Sequence, residues 1–72
     1  MKLLILKTDI NSPDHVNKIR PLFDNNPIVF NWSVDLQDID YILRVEASDH
    51  LLEEDLIYLI QKYGFSCEEL QG

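Results

Sequence analysis

The chain has 72 residues, with thirteen Asp and Glu against six Lys and Arg, a formal net charge of −7 and 46% hydrophobic side chains. A chain this short buries only about 60% of the surface its unfolded form exposes, which predicts a single domain over residues 1–72 with no room for a deep active-site cleft. The acidic balance repels phosphate backbones and anionic lipid, whose recognition relies on clustered Lys and Arg, so neither nucleic acid nor a membrane surface is expected as a partner.

The segment Met1-Lys2-Leu3-Leu4-Ile5-Leu6-Lys7 starts like a secretion signal, but its apolar run is shorter than the roughly 7 to 15 residues such a signal needs. Residues 3–8 are read instead as a strand, because a short continuous apolar run marks a strand covered on both faces or central in a sheet. A reducing, cytoplasmic setting is expected, since Cys67 is the sole cysteine and no internal disulfide can form. Next, Ser12-Pro13-Asp14 has the chemistry of a helix start. Ser12 carries an N-cap oxygen, Pro13 suits the first helical position, and Asp14 places negative charge at the positive end of the helix dipole. Val16, Ile19, Leu22 and Phe23 then recur with helical period, and Asn17, Lys18 and Asp24 fall on the wet side, so the first helix ends near Asp24. Pro21 predicts a kink or an irregular last turn.

Asp24-Asn25-Asn26-Pro27 is a turn, after which Phe30, Trp32, Val34 and Leu36 alternate with polar residues in a second strand. Residues 37–40 turn the chain into a third strand, where Tyr41, Leu43, Val45 and Ala47 alternate with Ile42, Arg44 and Glu46. The two strands are expected to form a hairpin. Ser48 or Asp49 is the expected cap of a second helix with Glu53, Glu54 and Asp55 in its first turns and a buried stripe of Leu52, Leu56, Leu59, Ile60 and Tyr63. Gly64 closes that helix, and residues 65–70 form a last short strand. Trp32, Phe23, Phe30, Tyr63 and Phe65 are expected to be core. The order strand, helix, strand, strand, helix, strand predicts an α+β, ferredoxin-like β-α-β-β-α-β sandwich: a four-stranded antiparallel sheet with two helices on one face.

The loop Ile10-Asn11-Ser12-Pro13-Asp14-His15 resembles a more specific frame. In heavy-metal-associated (HMA) domains, which carry copper or zinc, the first strand runs into a loop of the form (Met or Ile)-x-Cys-x-x-Cys. Here Ser12 and His15 stand where the two cysteines would. The run Trp32-Ser33-Val34-Asp35-Leu36 and the ending Lys62-Tyr63-Gly64-Phe65 are similar to the rest of that fold. The resemblance implies an HMA-like domain with a degenerate metal motif, one that lacks Cys-x-x-Cys. Soft cations are held through thiolates, and the cysteine pair puts both sulfurs within about 2.3 Å of one ion. With Ser12 and His15 in their place, the expected function is a non-catalytic binding or regulatory module that has lost thiolate metal binding. The alternative is a weak metal-binding protein using Asp14 and His15.

Other chemistry is read mainly from what is missing. Cys67, in the strand that the resemblance packs near the metal loop, has no basic neighbour in sequence to activate a thiolate and is read as structural. Glu53, Glu54 and Asp55 point about 100° apart around a helix and do not converge on an ion. Glu68 and Glu69 solvate a sheet edge, and His50 is read as a solvated loop or first-turn residue. No Gly-rich anion loop follows the first strand, since the only glycines are Gly64 and Gly72. Where RNA-recognition modules stack bases on strand aromatics flanked by basic side chains, strands one and three offer Leu3, Ile5, Ile42 and Glu46 instead. No nucleophile grouping is present, so no catalytic residue, cofactor or metal ligand is assigned and no enzymatic activity is expected. One surface stands out. If Leu4, Leu6 and Thr8 face the helices, then Leu3 and Ile5, joined by Ile42, make an apolar stripe on the open sheet face, a candidate surface for a protein partner or a homodimer.

Overall fold

The computed structural model describes residues 1–70, and in it the first apolar run forms strand β1 (Lys2–Thr8). Leu4, Leu6 and Thr8 are buried along it, while Leu3 is 54% exposed and Ile5 half-buried, so the two-residue alternation sends one set inward and the other to the open face. Helix α1 (Pro13–Asp24) follows, then β2 (Val29–Val34), β3 (Leu43–Ala47), α2 (Glu53–Lys62) and β4 (Cys67–Glu69). The sheet order is β2-β3-β1-β4, with every neighbouring pair antiparallel. Ile19 and Phe23 of α1 and Leu56 and Ile60 of α2 share one buried cluster with Leu4, Leu6, Leu43, Val45 and Ala47, so both helices cover the same sheet face. This is the ferredoxin-like sandwich expected from the order of elements.

Helix α1 begins as its sequence dictates. Ser12 is the N-cap, its Oγ accepts the His15 N–H at 3.2 Å, and Pro13 opens the helix. The helix runs through Pro21 to Asp24, and the Asn25 N–H reaches the Pro21 carbonyl at 3.2 Å. At the far end of α2, Gly64 adopts φ +94°, the Gly64 N–H donates to the Gln61 carbonyl and the Phe65 N–H to the Ile60 carbonyl. These paired bonds are a Schellman motif, whose left-handed position favours glycine because a Cβ would be strained there.

Several sequence expectations are corrected. Phe30 is not core; it is 60% exposed, because a bulge between Val29 and Asn31 inserts it as an extra residue and lets Val29, Trp32 and Val34 keep the inward side. Leu36 lies beyond the end of β2, and Tyr41 precedes β3 in a left-handed turn conformation with φ 47°. Ile42 also precedes β3; it is buried rather than exposed on the open face, yet lies outside the main cluster. Neither Ser48 nor Asp49 caps α2. The N-cap is Leu52, which makes no side-chain cap bond, while the Ser48 Oγ accepts the His50 N–H. Leu51 explains the change: it is buried, and its carbonyl accepts Lys2 Nζ at 2.8 Å, which delays the helix by several residues. The α2 stripe therefore narrows to Leu56 and Ile60, flanked by half-buried Ile57 and Leu59, with Leu52 and Tyr63 exposed. The last strand is shorter than residues 65–70: Phe65 is buried before it, and Leu70, after it, is exposed.

The two ends of this energy scale are testable. Leu56, 1% exposed, sits between the helix and the sheet, and Leu56→Ala is expected to cost about 2–5 kcal/mol by leaving a cavity. Ser12→Ala removes only a cap and is expected to cost about 0.5–2 kcal/mol. Urea unfolding of both variants checks the ranking, and equal losses would contradict this packing.

Candidate functional site

The loop between β1 and α1, which the resemblance singles out, is held by Thr8, Asp9, Ile10 and Ser12. Thr8 is buried; its hydroxyl donates to the Tyr41 carbonyl at 2.6 Å and accepts the Ile10 N–H at 3.1 Å. Ile10 is fully buried and anchors the loop in the core. Between them Asp9 turns outward, and its Oδ1 accepts the Ser66 N–H at 2.8 Å, latching the loop to the start of β4. Neither latch was legible in the sequence, because each joins residues far apart in the chain and no local pattern marks them.

The structure brings Ser12 and His15 together, but as cap and capped residue. Ser12 Oγ accepts a backbone N–H of the first helical turn. The His15 ring packs on Phe65 with centroids 5.1 Å apart and planes tilted by 56°. Its Nδ1 is buried and has no hydrogen-bond partner among the described residues, so this nitrogen meets an ion only if the ring turns. Asp14, next to it, is exposed. Among the described residues no group of three or more His, Cys, Asp or Glu side chains converges on a point where a metal ion would sit.

Cys67 behaves as its sequence setting suggests. It is buried in the core cluster, opposite Thr8 in the sheet, and Gln61 Nε2 donates to its carbonyl at 3.3 Å. Burial pushes its thiol pKa from 9.0 up to about 12, helped by the negative charges of Glu53, Asp9 and Glu68. The thiolate, the form that binds soft metals or attacks electrophiles, is therefore suppressed at neutral pH. A shallow groove of about 560 Å³ passes this region, lined by Thr8, Asp9, Gln61, Phe65, Ser66 and Cys67 among others. His50 is exposed, as are Glu68 and Glu69 on the edge strand.

With this geometry in place, the likeness to known structures is informative. The coordinates superpose on a chain of the solved Atx1–Cu(I)–Ccc2a complex with a TM-score of 0.85 and 18% identity, covering 99% of this chain and 97% of that one. The yeast copper transporter domain Ccc2a, solved in its apo and Cu(I)-loaded states, gives a TM-score of 0.81 at 18% identity over the same shares of the two chains. This chain has the fold of these copper domains. No protein-family model and no curated protein sequence matches it. The ferredoxin-like fold that the resemblance implied is thus present. Among the described residues no helix is long and apolar enough to cross a membrane.

The state of Cys67 sets a pH dependence. Its pKa is higher in the folded than in the unfolded chain, so the native state holds the proton where the unfolded state has lost it, and stability falls as pH rises from about 9 to about 12. Cys67→Ala is expected to lower stability at pH 7 but to flatten the decline over that range relative to the natural chain. Denaturant unfolding at stepped pH checks it; parallel profiles would contradict a buried, protonated thiol.

Proposed function

We propose that residues 1–72 form one non-catalytic binding or regulatory module that keeps the architecture of a copper domain, has lost thiolate metal binding, and works through a protein surface in a reducing, cytoplasmic setting. The observation that carries this reading is the use of Ser12: at the first of the two frame positions, the side chain is spent on capping α1. The remaining donors are one imidazole and an exposed carboxylate, a hard or borderline set that does not suit Cu(I). The only thiol in the chain is protonated at neutral pH and packed in the core.

The arrangement at Asp14 and His15 supports this reading over a weak metal site there. Residues adjacent on a helix diverge by about 100°, Asp14 is exposed, and the His15 ring is held against Phe65 with Nδ1 turned inward. A closed metal site needs more ligands than these two supply.

The experiment is a competition titration against a Cu(I) chelator. The natural chain and the single variants Ser12→Cys and His15→Cys are expected to leave copper with the chelator, whereas the double variant should capture it, because the loop then presents two sulfurs to one cation. Tight binding by the natural chain would overturn the proposal. A double variant no better than either single one would remove the loop frame as a sign of lost metal binding.

A further inference from the structure

The sheet face away from the helices has an unusual charge balance for this molecule. Its strand residues are Leu3, Ile5 and Lys7 on β1, Asn31 and Ser33 on β2, Arg44 and Glu46 on β3, and Glu68 on β4. Two cations and two anions cancel there, although the whole chain carries −7. Lys7 is engaged already, 3.9 Å from Glu68 and 3.6 Å from Asp40. Arg44 and Glu46 make no ion pair among the described residues; they flank the apolar pair Leu3 and Ile5, of which Leu3 is 54% exposed.

The register places these residues in adjacent cross-strand rows, Asn31–Glu46–Leu3 and Ser33–Arg44–Ile5. Each row has a small polar residue on β2, a charge on β3 and an aliphatic residue on β1, and the two charges are opposite in sign. A two-fold axis parallel to the sheet plane and just outside this face, perpendicular to the strands and midway between the rows, relates the rows of one copy to those of a second. It sets Leu3 on Ile5 of a second copy, Glu46 on Arg44, and Asn31 on Ser33, each contact occurring twice as an isologous interface requires. The strands of the two sheets then run antiparallel, within the aligned class of sheet packing that twisted sheets adopt at about 30°.

We infer that this face pairs with a second copy of the chain through reciprocal Arg44–Glu46 contacts around a Leu3–Ile5 centre. The inference names the partner of the surface on which the proposed function rests. Charge complementarity argues for this occupant: two molecules of net −7 meet with least repulsion where the contacting surface is itself neutral, and Arg44 and Glu46 make this face complementary to its own copy.

Sedimentation equilibrium from about 10 μM to about 1 mM tests it, a range that reports weak dissociation constants. The natural chain should move from 8.5 kDa toward twice that mass. Arg44→Glu and Glu46→Arg should each weaken association at least tenfold, since each sets like charges together at both contacts. An equimolar mixture of the two variants should dimerise again, because every contact then joins Glu to Arg, and this recovery also shows that both variants are folded. A natural chain that stays monomeric at the highest concentration overturns the inference. So do single variants that associate as well as the natural chain, or a mixture no heavier than its components. Copper takes no part in this pairing, so Cu(I) titration of the same samples reports on the proposed function separately.

Discussion

Thr8 is the joint on which the site depends. It is the last inward position of a strand paired on both sides, with β3 and with β4, and its hydroxyl is buried where an unpaired polar group would cost free energy. Both of its hydrogen-bonding roles are used. The hydroxyl donates to the Tyr41 carbonyl and accepts from the Ile10 N–H, while its own N–H donates to the Asp40 carbonyl at 3.1 Å. One residue thus ties the exit of β1 to the end of the β2–β3 loop. Tyr41, held at φ 47°, sits in a region that costs an L-residue about 1–2 kcal/mol, and its N–H bond to the Asp38 carbonyl together with the Thr8 contact offsets that strain. Ile10, pulled into the core by the same joint, fixes where Ser12 meets the helix.

From there the chemistry of the loop follows from what its side chains are occupied with. A first-turn amide needs an acceptor, and Ser12 supplies it; a hydroxyl so used contributes to helix stability rather than to ligand binding. The acidity of the chain acts in the same direction at Cys67. Asp9 is held near β4 by its bond to Ser66, and with Glu53 and Glu68 it surrounds the thiol with negative charge. The latch that shapes the loop therefore also opposes the ionisation that metal binding would need.

How far the sequence revealed this arrangement depends on the range of the interaction. Local signals were readable: the Ser12 cap, Pro13 at the first helical position, the Ile19 and Phe23 stripe, the Gly64 stop and the order of elements all arise within a few residues. Where a distant contact competes with a local one, the reading failed. Ser48 and Asp49 are good caps, but burying Leu51 and bonding its carbonyl to Lys2 outweighed a cap bond, and α2 starts later. Phe30 fits the alternation of β2, but the bulge gives its inward place to Val29. That exchange preserves the Phe23–Trp32 stack at 4.8 Å, over which Arg20 lies 5.4 Å from the indole. The latches from Thr8 and Asp9 pair distant residues and have no local signature at all.

A two-layer domain of this size also faces a constraint that a larger one escapes. Its helices cover one side of the sheet, and the other side stays open, so residues on the central strand alternate between the best-covered and the least-covered surface of the molecule. On β1 this puts Leu4 and Leu6 at 6% and 0% exposure while Leu3 reaches 54%. Polar residues at the outward positions would suit a face meant only for water. Leu3 and Ile5 instead lie beside charges of opposite sign in neighbouring rows, a pattern in which apolar area and electrostatics are arranged at the same spacing. Solvation alone needs no such matching, since isolated surface charges interact weakly with one another. Matching gains free energy when another surface excludes water from it, and the surface that repeats the same rows in reverse is that of the chain itself.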